Sequence, residues 1–174
     1  NNRISEQTGV PCVVAYYRRY LPYCKKVKEL INNGAVGHII NVQIHFAQPP
    51  RNLDYNRQNL PWRVRSDISG GGYFYDLAPH QLDLLQDMFG VILEAQGYTS
   101  NRGGLYEVED TLSACFKFEN GLPGSGSWCF VAHESAKEDA IEIIGDQGLL
   151  RFSVFTFEPI VLHNEKGIQK FNIP

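Results

Sequence analysis

The sequence lacks the features that several large functional classes require. Its 16 lysines and arginines against 19 aspartates and glutamates give a net charge of −3 without any basic run, so nothing favours nucleic acid as a partner. No apolar stretch is long enough to cross a bilayer, and no charged and then apolar leader opens the chain. The four cysteines form no Cys-x-x-Cys pair. We therefore expect a reduced, cytoplasmic protein with no nucleic-acid or membrane partner, although a leader cleaved upstream of residue 1 would leave no trace.

The first 17 residues have the pattern of the end of a larger α/β unit. Residues 3–9 read as the last turns of a helix that is closed by Gly9. Residues 10–16 are a continuous apolar run, which is typical of a strand buried on both faces of a parallel sheet. A helix end followed by such a strand is the tail of a β-α-β unit. We therefore expect residues 1–17 to belong to a domain that is otherwise missing from this sequence.

The rest of the chain predicts an α+β fold, with a mainly antiparallel open β-sheet and helices packed on one face. Helices are expected at residues 21–33 and roughly 73–89, strands at 36–46, 95–100, 111–118, 124–132, 140–144, 149–154 and 157–163, and a long polar loop at 49–61. The sequence leaves open whether the second helix starts at Ser69 or is capped by Asp76. Asn120-Gly121 and the turn at 145–148 mark hairpins. Two helices cannot cover both faces of this sheet. An apolar outer face therefore predicts self-association, as a homodimer or homotetramer formed through the open face of the sheet.

The strongest chemical signal is a stripe of polar residues on the second helix. Asp76, His80, Asp83 and Asp87 recur at helical spacing after the three glycines at 70–72. One interpretation is the solvated face of an amphipathic helix, and another is an acid/base pair of His80 with a carboxylate one turn away. The glycines favour the second interpretation, since they allow something to approach closely. A metal site is not predicted, because no third ligand has a matching spacing.

These residues resemble the glucose–fructose oxidoreductase / inositol dehydrogenase / MocA family. Gly70 to Asp83 is similar to its GGG-x-x-x-D-x-x-x-H-x-x-D signature. Four other segments agree with the family in order and spacing: Tyr17-Arg-Arg-Tyr20, Lys28 to Ile39, Pro61-Trp-Arg63 and Ile143 to Arg151. The similarity extends over nearly the whole chain.

The resemblance implies a division into two domains and a redox activity. Residues 1–17 would be the end of a dinucleotide-binding Rossmann domain, and residues 18–174 a C-terminal domain for substrate binding and oligomerisation. The missing domain would bind NAD or NADP, and the whole protein would move hydride to or from a sugar, inositol or related polyol. Because the family's glycine-rich cofactor loop and its Glu-Lys-Pro lysine are not in this sequence, the chain alone is expected to be inactive.

The resemblance also implies roles for individual residues. His80 would exchange the proton of the reacting hydroxyl, and Asp76 would orient His80 and set its charge. The expected substrate-binding residues are Tyr17, Arg18, Arg19, Trp62, Arg63 and Asp83. Structural ion pairs remain the alternative for Arg18 and Arg19, and anchoring of the loop is the alternative for Trp62.

Two other functions remain open. One is a non-catalytic module that binds carbohydrate or forms a dimer interface. The other is an NAD-dependent glycoside hydrolase of the same family, which would use the same proton-transfer pair to cleave a glycosidic bond without net oxidation.

Overall fold

The computed structural model describes residues 2–173, except for the side chain of Asn2. The helices are α1 (Asn2–Thr8), α2 (Pro22–Asn32), α3 (Ser66–Ser69) and α4 (Tyr73–Phe89). The strands are β1 (Ile39–Ala47), β2 (Ile92–Ser100), β3 (Thr111–Phe118), β4 (Pro123–Cys129), β5 (Glu138–Gly145), β6 (Gly148–Phe152), β7 (Ile160–Asn164) and β8 (Gly167–Phe171). Single 3-10 turns lie at Tyr17–Tyr20, Asn52–Tyr55, Trp62–Val64 and Glu134–Ala136.

All eight strands form one sheet in the order β2-β3-β4-β1-β5-β6-β7-β8. Every neighbouring pair is antiparallel except β1 and β4, which are parallel. The predicted α+β class, with a mainly antiparallel open sheet, is therefore confirmed. The sequence did not predict β8, whose alternating residues lie at the edge of the sheet.

The helices pack on one face of this sheet, as predicted. Val42, Ile44 and Phe46 of β1 point inward and are at most 2% exposed. Helix α2 contributes Cys24 and Val27 to the same core. Burial raises the pKa of the Cys24 thiol to about 11, so this cysteine behaves as a small apolar side chain.

A bulge changes one residue of the predicted alternation in β1. In the sequence, apolar and polar residues alternate from Ile40 to Phe46, which predicts Ile40 on the buried face with Val42, but Ile40 is exposed. The register with β5 shifts between Ile39 and Asn41, and such an extra residue reverses the alternation on one side of the bulge. The prediction for Ile40 was therefore wrong.

The segment that leads into the domain also differs from its prediction. Helix α1 is present, and the Gly9 amide donates to the Ser5 carbonyl at 2.9 Å with Gly9 at φ +69°. Residues 10–16 form no strand and are mostly exposed. A parallel strand needs neighbours to accept and donate its backbone hydrogen bonds, and no described strand runs beside this segment.

The uncovered face of the sheet is polar at its centre, so the expected apolar surface is not present there. Ser125 of β4, Gln43 of β1, Glu142 of β5 and Arg151 of β6 are register partners in one row across it. The Arg151 guanidinium donates to Glu142 at 2.5 Å, and the neighbouring His45 Nε2 lies 3.9 Å from Glu142. Within residues 2–173, no helix is both long and apolar enough to cross a membrane.

Candidate active site

The three glycines before α4 allow the chain to approach itself closely. Gly70 takes a left-handed conformation at φ +80°. A Cβ on Gly72 would overlap the backbone oxygen of Glu109, and the Gly72 amide donates to the Glu109 carboxylate at 2.8 Å. The close approach that the glycines indicated is therefore made by the loop before β3, which holds the first turn of α4 in place.

Helix α4 begins at Tyr73, with Gly72 as its N-cap, and so starts neither at Ser69 nor at Asp76. Pro79 consequently lies inside the helix. Proline has no amide proton, so the carbonyl one turn earlier, that of Tyr75, lacks its usual helical donor. His80 follows directly after this interruption of the helical ladder.

The polar stripe of α4 faces the 3-10 turn at residues 17–20. Asp83 and Asp87 both accept hydrogen bonds from Arg19, and the His80 ring packs against Tyr17. These residues therefore share one face of α4, as predicted. That face packs against other parts of the protein and is also partly exposed to solvent.

His80 lies among three aromatic rings. The ring centroids of Tyr16, Tyr17 and Phe155 are 6.0, 6.5 and 6.2 Å from the centroid of the imidazole, and all three contacts are edge-on. The Nδ1 atom is buried and has no hydrogen-bond partner in the described part of the chain. The other ring nitrogen, Nε2, is not buried, and no residue from 2 to 173 hydrogen-bonds to it.

This environment favours the uncharged form of His80. Burial lowers the pKa of the imidazole from its ordinary value of 6.5, and the positive charge of Arg18 acts in the same direction. The carboxylates of Asp76 and Asp83 oppose this effect, but burial outweighs them. His80 is therefore suited to accept a proton at neutral pH.

Arg18 joins the turn at 17–20 to the loop that follows β6. Its Nη1 donates to the Val154 carbonyl at 2.5 Å. Its guanidinium carbon lies 4.7 Å from the centre of the Phe155 ring and 5.5 Å from that of Tyr17. Arg18 therefore stacks on the same rings that surround His80.

Asp76 does not hydrogen-bond to His80 in the described structure. Its carboxylate accepts a hydrogen bond from Arg63 Nε at 2.6 Å, and the Arg63 guanidinium lies over the Trp62 ring at 4.5 Å. In place of the orienting contact expected from the resemblance, Asp76 makes an ion pair with Arg63, which lies in the 3-10 turn after the polar loop. Asp76 acts on His80 through its charge.

Arg19 and Asp83 form a bidentate ion pair. Arg19 Nε donates to Asp83 at 2.7 Å, and Nη2 makes a second, shorter contact. Asp87 accepts from Arg19 Nη1 at 3.4 Å and from Lys28 at 2.8 Å. Asp83 is only 8% exposed. This geometry favours a structural ion pair, which was the alternative role for Arg19. The same ion pair occupies the Asp83 carboxylate.

The sequence missed two residues that surround His80. Tyr16 lies at the end of the apolar run that was expected to be a strand, and Phe155 lies in the loop after β6. No spacing in the sequence links either residue to α4, so only the folded chain brings them together. In the range 2–173, no group of three or more His, Cys, Asp or Glu side chains could hold a metal ion.

The fold and the site together define a class of protein. An open, mainly antiparallel sheet is covered on one face by helices, one of which carries a half-buried histidine among aromatic rings. Residues 24–151 match the family model described as the GFO/IDH/MocA C-terminal domain. The chain belongs to this family.

Comparisons with individual proteins agree with this membership. Oxidoreductase P35 of Formosa agariphila is 34% identical over 151 residues, which are 87% of this chain and 46% of that protein. The levoglucosan dehydrogenase of Pseudarthrobacter phenanthrenivorans is 26% identical over 164 residues, covering 81% of this chain and 42% of the relative. A solved structure of levoglucosan dehydrogenase in complex with NADH and levoglucosan superposes with a TM-score of 0.78 at 24% identity, over 92% of this chain and 46% of that one. The chain thus spans about half the length of the relatives that it matches.

Proposed function

We propose that this chain is the substrate-side half of a nicotinamide-dependent oxidoreductase that acts on a sugar, an inositol or a related polyol. Residues 18–174 would form the substrate-binding and oligomerisation domain, and residues 1–17 would complete a Rossmann domain that binds NAD or NADP. The apolar side chains of Val10, Val13 and Val14 are 63%, 83% and 67% exposed. A neighbouring sheet of such a domain would cover them, which supports this division.

The environment of His80 carries the proposal. An imidazole kept uncharged by burial, with Nε2 free to meet a hydroxyl, fits a group that removes a proton from an alcohol. A solvated surface histidine would have no aromatic enclosure and no reason for a lowered pKa.

Each residue near His80 has a place in this reaction. When bound, NAD or NADP supplies the hydride acceptor or donor at the carbinol carbon. His80 Nε2 would take the hydroxyl proton during oxidation and return it during reduction. The negative charge of Asp76 would stabilise the imidazolium that forms. Tyr17 and Trp62, which are 55% and 48% exposed, would stack against the faces of a sugar ring.

The other proposed substrate-binding residues differ in whether they have polar groups left to bind a substrate. Arg18 and Arg63 line the same side of α4, and each retains guanidinium donors beyond the contact that holds it. Arg19 and Asp83 hold each other, so we propose that they fix the turn at 17–20 relative to α4 and shape the site from behind.

The substrate class has support from the relatives. Levoglucosan dehydrogenase, by its name, acts on levoglucosan, and it is similar to this chain in both sequence and fold. Assembly into a homodimer or homotetramer through the open sheet face remains part of the proposal. The polar row through Gln43 and Glu142 means that such an interface would be built on hydrogen bonds and ion pairs.

Substitution of His80 tests the proposal in the full-length protein. His80→Ala should lower kcat by about 10²–10⁴-fold, because the proton transfer loses its positioned base. Asp76→Asn should lower kcat by a smaller factor. Steady-state rates of nicotinamide reduction measure both effects, with thermal unfolding as the check that each variant is folded.

His163→Ala is the matched control, because His163 is an exposed histidine on β7. Its turnover should equal that of the wild type. Unchanged turnover in both His80→Ala and Asp76→Asn would remove the assigned roles and favour a non-catalytic carbohydrate-binding module.

A further inference from the structure

The loop between β6 and β7 is wrapped around one carboxylate. Asp139, near the start of β5, accepts hydrogen bonds from the backbone amides of Val154 at 3.1 Å, Phe155 at 2.6 Å and Thr156 at 2.9 Å. Three consecutive amides that converge on one ionised carboxylate form a charge-assisted set, which is about twice as strong per bond as a neutral one. Three consecutive amides of this loop therefore depend on a single side chain for their acceptor.

The same loop supplies one wall of the His80 site. The Phe155 ring packs edge-on against His80 with centroids 6.2 Å apart, and the Val154 carbonyl accepts the hydrogen bond of Arg18 at 2.5 Å. No hydrogen bond or ion pair joins Asp139 to His80 or to Arg18. It acts on both through the two residues whose amides it binds.

The loop has a conformation that needs such support. Phe157 has φ +51°, a left-handed conformation that is unfavourable for an aromatic residue. The Glu158 amide donates to Ser153 Oγ at 2.8 Å, and Tyr23 Oη donates to the Glu158 carbonyl at 2.7 Å. Asp139 holds the opposite side of the loop. Without its carboxylate, three amides would lose their acceptor and the strained turn could relax.

We propose that Asp139 is a positioning residue for His80, which it serves by holding Phe155 and the Val154 carbonyl against the imidazole and Arg18; this inference rests on the proposed function. Loss of the Asp139 carboxylate would let the loop move away from α4. Water would then reach the imidazole, and Arg18 would lose its backbone acceptor.

The groups that face His80 determine whether its pKa rises or falls when the Asp139 carboxylate is lost. Arg18 faces it from the turn at 17–20, Asp76 and Asp83 face it from α4, and the rings of Tyr16 and Tyr17 lie beside it. Rehydration of the imidazole and displacement of the Arg18 cation both favour the protonated form. The two carboxylates stay on α4. The pKa of His80 should therefore rise in the absence of the Asp139 carboxylate.

The test is Asp139→Ala in the full-length protein, which removes the acceptor of the three amides, with an NMR titration of ¹³C-labelled histidine and steady-state kinetics. The His80 resonance is identified by its loss in His80→Gln. The expected result is a rise of the His80 pKa towards the ordinary value of about 6.5, together with a fall of kcat by about ten- to a hundredfold and a smaller change in KM. Asp146→Ala is the matched control, because Asp146 follows the other end of β5 and its carboxylate accepts, among residues 2–173, only from the His38 amide at 2.7 Å. It should leave both quantities unchanged.

A folded Asp139→Ala variant in which the His80 pKa does not move would overturn the inference, even if turnover fell, because a purely structural role predicts that pattern. If Asp139→Ala does not fold, Phe155→Leu replaces it. The same rise of the His80 pKa then supports the role of the loop, and an unchanged value overturns it. Failure of the proposed function would be a separate result. It would appear as full turnover in His80→Ala, independently of how His80 titrates in proteins that retain it.

Discussion

At the scale of single residues, opposing influences set the charge of His80. Two carboxylates on the same helix favour the imidazolium, whereas burial among aromatic rings and the cation of Arg18 favour the neutral ring, and burial is the largest influence. Arg63 binds Asp76 and offsets part of its negative charge at the position of the imidazole. The residue is thereby prepared to accept a proton without being protonated beforehand.

This balance makes stability depend on pH in a defined direction. Because the pKa of His80 is lower in the folded than in the unfolded chain, protonation favours the unfolded state. The contribution of His80 to stability is complete above the unfolded pKa of about 6.5 and is lost as the pH falls through the folded value. The wild type should therefore lose more stability between about pH 7 and pH 5 than His80→Gln, in which the side chain cannot titrate.

Urea unfolding at both pH values measures this difference. The other four histidines are common to both proteins, so their contribution cancels in the comparison. Parallel losses of stability in the two proteins would show that the imidazole is as well solvated in the folded chain as in the unfolded one.

At the scale of elements, α4 depends on the loop that touches its first turn. The Gly72 backbone lies against the backbone of Glu109, where a Cβ has no room, whereas Gly70 has open space and needs only its left-handed conformation. Gly72→Ala should therefore destabilise the protein by about 1–3 kcal/mol, because either the loop or the helix must shift. It should also lower kcat, since α4 carries His80.

Gly70→Asn is the control for this prediction. Asparagine tolerates the left-handed conformation better than other non-glycine residues, so the variant should stay within about 1 kcal/mol of the wild type. Chemical denaturation of both variants provides the measurement. Equal stability of Gly72→Ala and the wild type would contradict the close packing described for Gly72 and Glu109.

The elements also show which parts of the fold the sequence could predict. Helix α4 was predicted at roughly residues 73–89 from its helical pattern, but its start was left open, and the Asn120-Gly121 turn marked the β3–β4 hairpin. The run at residues 10–16 has the composition of a strand, but composition does not supply the neighbouring strand that hydrogen bonding requires. The bulge beside Ile40 likewise depends on the register with β5, which local alternation does not determine.

The site was predictable in its residue types and only partly in its contacts. Helical spacing alone placed Asp76 and His80 on one face of α4. That Arg63 takes the Asp76 carboxylate depends on the path of the long loop at 49–61, and that Phe155 reaches His80 depends on Asp139. Both are long-range consequences of the fold that no local pattern records.

At the scale of the whole molecule, the chain spans about half the length of the relatives that it matches. The exposed apolar residues around Val13 lie just before the 3-10 turn at residues 17–20, and the exposed ring of Tyr20 lies within it. The same turn packs against His80 through Tyr17. In the proposed function, this segment joins the substrate site to the nucleotide-binding half. The fold of this domain would therefore set the position of His80, and the joining segment would set its access to a cofactor.

The most direct test of this account is transfer of deuterium by the full-length protein. Levoglucosan and a panel of pyranoses and inositols, each deuterated at its ring carbinol carbons, would be incubated with NAD⁺ or NADP⁺, and the reduced nicotinamide analysed by mass spectrometry. The account predicts that at least one of these sugars or polyols delivers deuterium to the nicotinamide, and that His80→Ala abolishes most of this transfer. Cofactor that stays unreduced with every member of the panel, or transfer at the same rate in His80→Ala, would contradict it.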